Sequence, residues 1–164
     1  MTKANTTRAK QTSSSRAAAP RLENFLCFAI YSANLAYGRA YKPILDELGL
    51  TYTQYIALVA LSEEDNQTVS SLGEKLFLES NTLTPILKNL ETMGYVRRQR
   101  DPKDERKVVI SLTEAGRRVR DKALPLNLVR ETQLTPEEFA LLQKSVVKLR
   151  NNLIEGTKGT GKSK

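Results

Sequence analysis

The stretch from Thr68 to Leu112 constrains the fold more than any other part of the chain. Thr68 can cap a short helix that turns Val69, Leu72 and Leu76 inward. Only Phe77-Leu78-Glu79-Ser80 separates it from a second amphipathic helix. That helix is marked by Leu83, Ile86, Leu87, Leu90 and Met93 at three- and four-residue steps, and it closes at Gly94. Pro85 disfavours a helix interior, which places the helix start near Ser80–Thr82 and Pro85 close to the first turn. Residues 95–100 and 107–112 then read as two strands around the turn Asp101-Pro102-Lys103-Asp104. A short helix, a tight turn, a second helix and a charged hairpin form the layout of a winged helix-turn-helix.

The rest of the chain is helical. Leu22, Phe25, Leu26, Ala29, Ile30, Ala33, Ala36, Ala40, Ile44 and Leu48 predict a first helix of about 27 residues that stops at Gly49. Thr53 is the expected cap of a second helix through Ile56, Val59 and Ala60, ended by the acidic loop Glu63-Glu64-Asp65-Asn66. Thr113 caps a fifth helix that Pro125 interrupts. Thr135-Pro136-Glu137-Glu138 is a capping box that opens a sixth. Phe139, Leu142, Val146, Leu149 and Leu153 give this sixth helix a heptad-like seam, suited to another helix such as one from a second copy. The fold class expected is mostly α with a small β-hairpin wing.

Charge supports the DNA-binding reading only once it is located. The 164 residues carry a net +8. Most of it lies in residues 1–19 and 155–164, which lack a periodic apolar face and read as disordered basic tails. Residues 20–87 are net acidic, whereas residues 88–107 hold Lys88, Arg97, Arg98, Arg100, Lys103, Arg106 and Lys107. The basic cluster therefore falls on the second helix of the pair and on the hairpin. In such a unit the second helix enters the major groove and the wing meets the flanking backbone and minor groove. Ser80, Asn81, Thr82, Thr84, Pro85 and Lys88 are the expected groove-facing residues. Arg97, Arg98 and Arg100 would meet phosphates, and Arg106 suits a narrow minor groove.

Composition excludes other chemistry. One Cys and no His leave no zinc-finger ligand set, no disulfide framework and no Cys–His or Ser–His couple. The longest apolar runs, 25–31 and 55–61, are far short of the roughly 20 residues that span a bilayer. Neither a cofactor nor a metal is expected. Without a secretory signal pattern, the expected location is cytoplasmic, which suits a lone thiol.

Several separated motifs agree in order. They are Leu72-Gly73-Glu74, Thr82-Leu83-Thr84-Pro85, Leu90-Glu91, Asp101-Pro102-Lys103-Asp104-Glu105-Arg106 and Ser111-Leu112-Thr113-Glu114-Ala115-Gly116. Together they resemble the MarR family of bacterial transcription regulators. The wing pair Asp104 and Arg106 and the exit Leu112-Thr113-x-x-Gly116 carry that family's signature. Residues 22–31 and Leu50-Thr51-Tyr52-Thr53-Gln54-Tyr55 resemble its organic hydroperoxide resistance regulator (OhrR) branch, one-cysteine type. The resemblance covers about residues 22–155. Two positions depart from the branch. The turn commonly reads Asp-Ser-Gly where this chain has Glu79-Ser80-Asn81, and Asn89 stands at a commonly basic position.

The resemblance implies one MarR-like domain over 20–155, with about 53–113 as the DNA-binding unit. Residues 20–50 and 114–155 would serve dimerisation. It also implies a homodimeric repressor that releases a palindromic operator when Cys27 is oxidised by an organic hydroperoxide. Tyr31, Tyr41 and Tyr52 match the tyrosines around the reactive cysteine of that branch. Tyr41 lies 14 residues beyond Cys27, about 21 Å along a straight helix, so it can meet only a second copy's cysteine. Phenolic donors to a sulfur favour its thiolate. With no second Cys in the chain, a sulfenic acid would end as a mixed disulfide with a low-molecular-weight thiol, an interchain disulfide or a sulfinic acid.

Cys27 also admits a bland reading, that of a small buried hydrophobe. On that reading the chain would be a MarR-type repressor released by a small phenolic ligand. A thiol peroxidase and a non-sensing architectural DNA binder are the other classes the sequence admits.

Overall fold

The computed structural model describes residues 21–102, 104–123 and 131–160. They form two compact units that divide between Arg39 and Ala40.

The first unit is a short 3-10 turn, Leu22–Asn24, followed by the start of α1, Leu26–Glu47. The expected first helix is thus shortened to 22 residues, because the chain at Phe25 is extended. Leu22, Phe25, Leu26, Ile30, Tyr31 and Leu35 are all exposed, although they carry the apolar periodicity.

The second unit holds the core. Its elements are the end of α1, then α2 (Tyr52–Glu63), β1 (Gln67–Thr68), α3 (Val69–Leu76) and α4 (Ser80–Thr92). The hairpin β2 (Val96–Asp101) and β3 (Asp104–Leu112) follows, then α5 (Glu114–Ala123) and α6 (Pro136–Thr160). Leu58, Leu61, Leu72, Leu83, Leu87, Leu90 and Ile110 are its largest fully buried side chains. They come from α2, α3, α4 and β3, so the helix pair and the wing share one core. Burial of this kind supplies roughly 1.5–3 kcal/mol per large aliphatic side chain.

Local capping explains the boundaries. Thr51, and not Thr53, caps α2: its hydroxyl accepts from the Gln54 N–H while the Gln54 side-chain Oε1 accepts from the Thr51 N–H. Thr53 lies inside the first turn, where its backbone is already helical. Thr68, Thr113 and Thr135 cap α3, α5 and α6 as expected, accepting from Ser71, Gly116 and Glu138 N–H groups. The three-residue turn between α3 and α4 is set by Phe77 in the left-handed region, φ 56°, with the Leu78 N–H donating to the Gly73 carbonyl. The carbonyl of Leu78 in turn lies so close to Gly73 that a Cβ there would come within 2.7 Å of it, which only glycine avoids.

Two expectations are corrected. The wing is a three-stranded antiparallel sheet in the order β1-β3-β2, because Gln67 and Thr68 pair with Ile110 and Val109. Residues 156–160 continue α6 rather than beginning a tail, with the Thr157 hydroxyl donating to the Ile154 carbonyl. The tails proper, 1–19 and 161–164, and the interruption at Pro125 lie outside the described residues.

Candidate nucleic-acid interface and redox residues

The N-terminus of α4 is open. Glu79 stands at its cap and makes no side-chain capping bond, although its carbonyl accepts from the Thr82 N–H at 3.0 Å, and the positive end of the helix dipole lies at this turn. Ser80, Asn81, Thr82, Pro85 and Lys88 are exposed on this helix, while Leu83, Leu87 and Leu90 are buried beneath them. Thr84 is half-buried and donates its hydroxyl to the Ser80 carbonyl at 2.6 Å. Pro85 is the sixth residue of the helix and deprives the Asn81 carbonyl of its usual i+4 donor. The helix therefore presents hydroxyls, an amide and a cation on one face, the mixture that reads base edges and meets phosphates.

The wing adds positive charge. In β2, Arg97 and Arg100 are exposed. At the tip the Asp104 carboxylate accepts from the Arg106 backbone N–H at 3.2 Å and from its Nε at 3.1 Å. These two bonds to Arg106, with Lys107 adding a weaker attraction, hold the Asp104 carboxyl below the usual carboxylate range. The Arg106 side chain remains 91% exposed, so Asp104 orients a guanidinium that points into solvent. An exposed pair of this kind adds little stability. Its consequence is directional.

Arg98 behaves differently. Its side chain is only 20% exposed and turns back on the Glu91 carboxylate, which also accepts from the Arg98 backbone N–H. It fastens β2 to the last turn of α4, a tie with no local signal because Glu91 is seven residues away. Asp65 was a second residue that sequence reasoning missed. Its carboxylate accepts from the Asn66 and Leu112 N–H groups and pairs with Arg117 at 2.7 Å, joining the α2–β1 loop to β3 and α5. A third is Gln54, whose side-chain Nε2 donates to the Asn89 Oδ1 on α4 at 2.7 Å.

The residues singled out for redox chemistry fall in the two units separately. Cys27 is the second residue of α1, closer to the helix start than the periodicity placed it, and it is exposed. The buried-hydrophobe reading of this side chain therefore does not describe the single chain. Tyr31 follows one turn later, exposed and in tilted contact with Phe28 at 6.4 Å between ring centroids. In the second unit the Tyr41 ring packs against Tyr52 at 5.2 Å and Tyr55 at 5.6 Å. Burial pushes the Tyr55 phenol above its ordinary pKa, reinforced by Tyr52 and opposed by Arg120. Among the described residues no group of three or more Cys, Asp or Glu could hold a metal ion. Nor is any described helix long and apolar enough to cross a membrane.

Comparison with known proteins agrees with this arrangement. The family model described as "Transcriptional regulator SarA/Rot" matches residues 39–123, which run from the end of α1 to the end of α5. The organic hydroperoxide resistance transcriptional regulator of Bacillus subtilis is 47% identical over 106 residues, 65% of this chain and 72% of that protein. The chain belongs to the MarR family of transcriptional regulators, in its OhrR branch. The regulator TtmR of Methylorubrum extorquens is 45% identical over 134 residues, 80% of this chain and 69% of that protein. Reduced AbfR of Staphylococcus epidermidis bound to DNA superposes with a TM-score of 0.70 at 35% identity, covering 82% of this chain and 93% of that one. AbfR is also known overoxidised on DNA and with a disulfide formed. As a MarR-family member the chain is a DNA-binding transcriptional regulator and not an enzyme.

Proposed function

We propose that this regulator is a homodimeric, redox-sensing repressor that binds a palindromic operator and releases it when Cys27 is oxidised by an organic hydroperoxide. The observation that carries the reading is the exposure of Cys27 on the apolar first turn of α1. An uncovered thiol among Phe25, Leu26 and Ile30 is reachable by an apolar peroxide, and a second copy laid on this face would bring the partner's Tyr41 to it. Leu141, Leu142, Val146 and Leu153 of α6 are likewise exposed and supply a second apolar face for dimerisation.

The DNA-contacting set in this reading is Ser80, Asn81, Thr82, Thr84, Pro85 and Lys88 of α4, with Arg97, Arg100 and Arg106 of the wing. Asp104 aims Arg106, and Arg98 fixes the wing to α4. Two recognition helices must meet half-sites about 34 Å apart, so a small rotation of one chain against the other costs specific affinity.

The chemistry balances with one cysteine. The Cys27 thiolate attacks one peroxide oxygen, the O–O bond breaks, and the alkoxide leaves to take a proton. Cys27 is oxidised to a sulfenic acid and the hydroperoxide is reduced to its alcohol. A low-molecular-weight thiol then displaces water to form a mixed disulfide. The relative AbfR stands on DNA when overoxidised, which favours a disulfide over a sulfinic acid as the releasing state. The expected location of such a regulator is the cytoplasm.

The test is a gel shift on the DNA upstream of the regulator's own gene, with an organic hydroperoxide plus a small thiol, then dithiothreitol. The reduced protein should bind, the oxidised protein release, and the reductant restore binding. A Cys27→Ser variant should bind and ignore the peroxide. Release of that variant by peroxide would overturn the proposal, and release of the reduced protein by a salicylate-like phenol would favour ligand control instead.

A further inference from the structure

We infer that Gln54 and Asn89 form a positioning link through which the tyrosine cluster at the start of α2 sets the orientation of the recognition helix α4. Gln54 does three things at once. Its Oε1 accepts from the Thr51 N–H at 2.7 Å, its backbone N–H donates to the Thr51 hydroxyl at 3.3 Å, and its Nε2 donates to Asn89 Oδ1 at 2.7 Å. The side chain is locked to the first turn of α2 by the capping box and has one remaining reach, toward α4. Gln54 is 8% exposed, so its amide cannot exchange Asn89 for bulk water without loss.

The same turn carries Tyr52, the first residue of α2, whose ring packs on Tyr41. A shift of the Tyr52 backbone carries the capping box with it, since Tyr52 lies between Thr51 and Gln54. Apart from the Glu91–Arg98 tie in its last turn, α4 is held by Leu83, Leu87 and Leu90, which are buried but non-directional. A short amide–amide hydrogen bond is directional and fixes tilt as well as depth. Asn89 lies seven residues beyond Thr82, about 10 Å along the helix, so a tilt of about 10° at Asn89 moves the groove-facing end by about 2 Å. That exceeds the tolerance of a base-edge hydrogen bond. A lysine or arginine at position 89 would offer Gln54 no acceptor, and asparagine supplies one.

This inference deepens the redox reading and rests on it for its physiological use, but its test does not. Operator affinity of the full-length reduced protein is measured for the wild type, Tyr52→Ala, Asn89→Ala and the double variant. Asn89 is exposed in the interior of α4, and alanine there favours the helix, so folding is retained. Tyr52→Ala should weaken binding about fivefold with Asn89 present and less than about twofold with Asn89→Ala, since coupled residues are non-additive. Asn89→Asp keeps the acceptor and should restore the dependence on Tyr52, whatever its added charge does to affinity. Additive effects in the cycle, or an Asn89→Asp variant that behaves like Asn89→Ala, overturn the link.

A parallel titration with hydroperoxide and a small thiol reads the ratio of oxidised to reduced dissociation constants. Asn89→Ala should shrink that ratio while Cys27 loses its thiol at the wild-type rate. An unshrunken ratio shows that oxidation reaches α4 by another route and overturns the link. A wild type indifferent to peroxide overturns the redox reading, and the cycle then still decides the link.

Discussion

Replacing Gly116 by alanine should destabilise the regulator by about 3 kcal/mol, although alanine is the better helix former. A Cβ at Gly116 would stand 2.1 Å from the Tyr95 carbonyl oxygen and 2.8 Å from Leu112 Cδ1. The first is about 0.9 Å inside the closest approach such atoms tolerate, and the obstacle is backbone. Relief requires the first turn of α5 to lift from the end of α4. That turn is fastened by the Thr113 N–H to the Tyr95 carbonyl at 3.1 Å and by the Thr113 hydroxyl to the Gly94 carbonyl at 2.7 Å. Losing two such bonds costs about 2 kcal/mol. Residual overpacking adds about 2 kcal/mol, and the gain in helix propensity returns about 1 kcal/mol. The assay is urea unfolding followed by circular dichroism at fixed protein concentration, because the stability of the proposed dimer depends on it. The matching thermal shift is roughly 6–12 °C. Gly156→Ala, where no atom lies within 4 Å of the new Cβ, is the control and should be neutral or slightly stabilising. A Gly116→Ala protein that unfolds within about 0.5 kcal/mol of the wild type would refute the reasoning, since it would mean α5 can lift without loss.

Other outcomes follow from the same geometry. Asp65→Ala removes the acceptor of two backbone N–H groups and the partner of Arg117, and should cost about 2–3 kcal/mol in the same unfolding assay. Arg97→Ala should lower the slope of log affinity against log salt by about one, whereas Arg98→Ala should change stability more than slope, because Arg98 is turned onto Glu91. Equal slopes for the two variants would show that the wing is misassigned. The Asp104 carboxyl titrates below its unfolded value, so its tie to Arg106 is present above the ordinary carboxylate range. The tie is lost as pH falls through the lowered folded value. Arg106→Ala should bring the Asp104 titration, followed by carbon NMR, back up toward the ordinary range.

The recognition unit was legible because its signals are local. A threonine before a helix, a four-residue turn and two strands around Asp101-Pro102 depend on residues a few positions apart, and the structure places α3, α4, β2 and β3 accordingly. Thr51 caps α2 where Thr53 is the expected cap, since both offer the same hydroxyl. Only the capping box with Gln54 separates them. The two-residue strand β1 was not legible at all. Gln67 and Thr68 have no strand pattern of their own and become a strand only by pairing with Ile110 and Val109 across more than forty residues.

What the sequence by itself determined is the helix-turn-helix, its charged wing and the single thiol that limits the redox outcomes. These follow from periodicity, turn chemistry and residue counts, which operate along the chain. Only the tertiary structure decided which charges face outward and which serve as ties. Arg97 and Arg98 are adjacent and chemically identical, yet one is exposed and the other is fastened to Glu91, because successive strand residues point to opposite faces. Asn89 likewise looks like a lost cation in the sequence, and in the fold it is the acceptor that Gln54 reaches. Side-chain hydrogen bonds between residues 35 positions apart leave no periodic trace, so the Gln54–Asn89 bond appears only once α2 and α4 are packed.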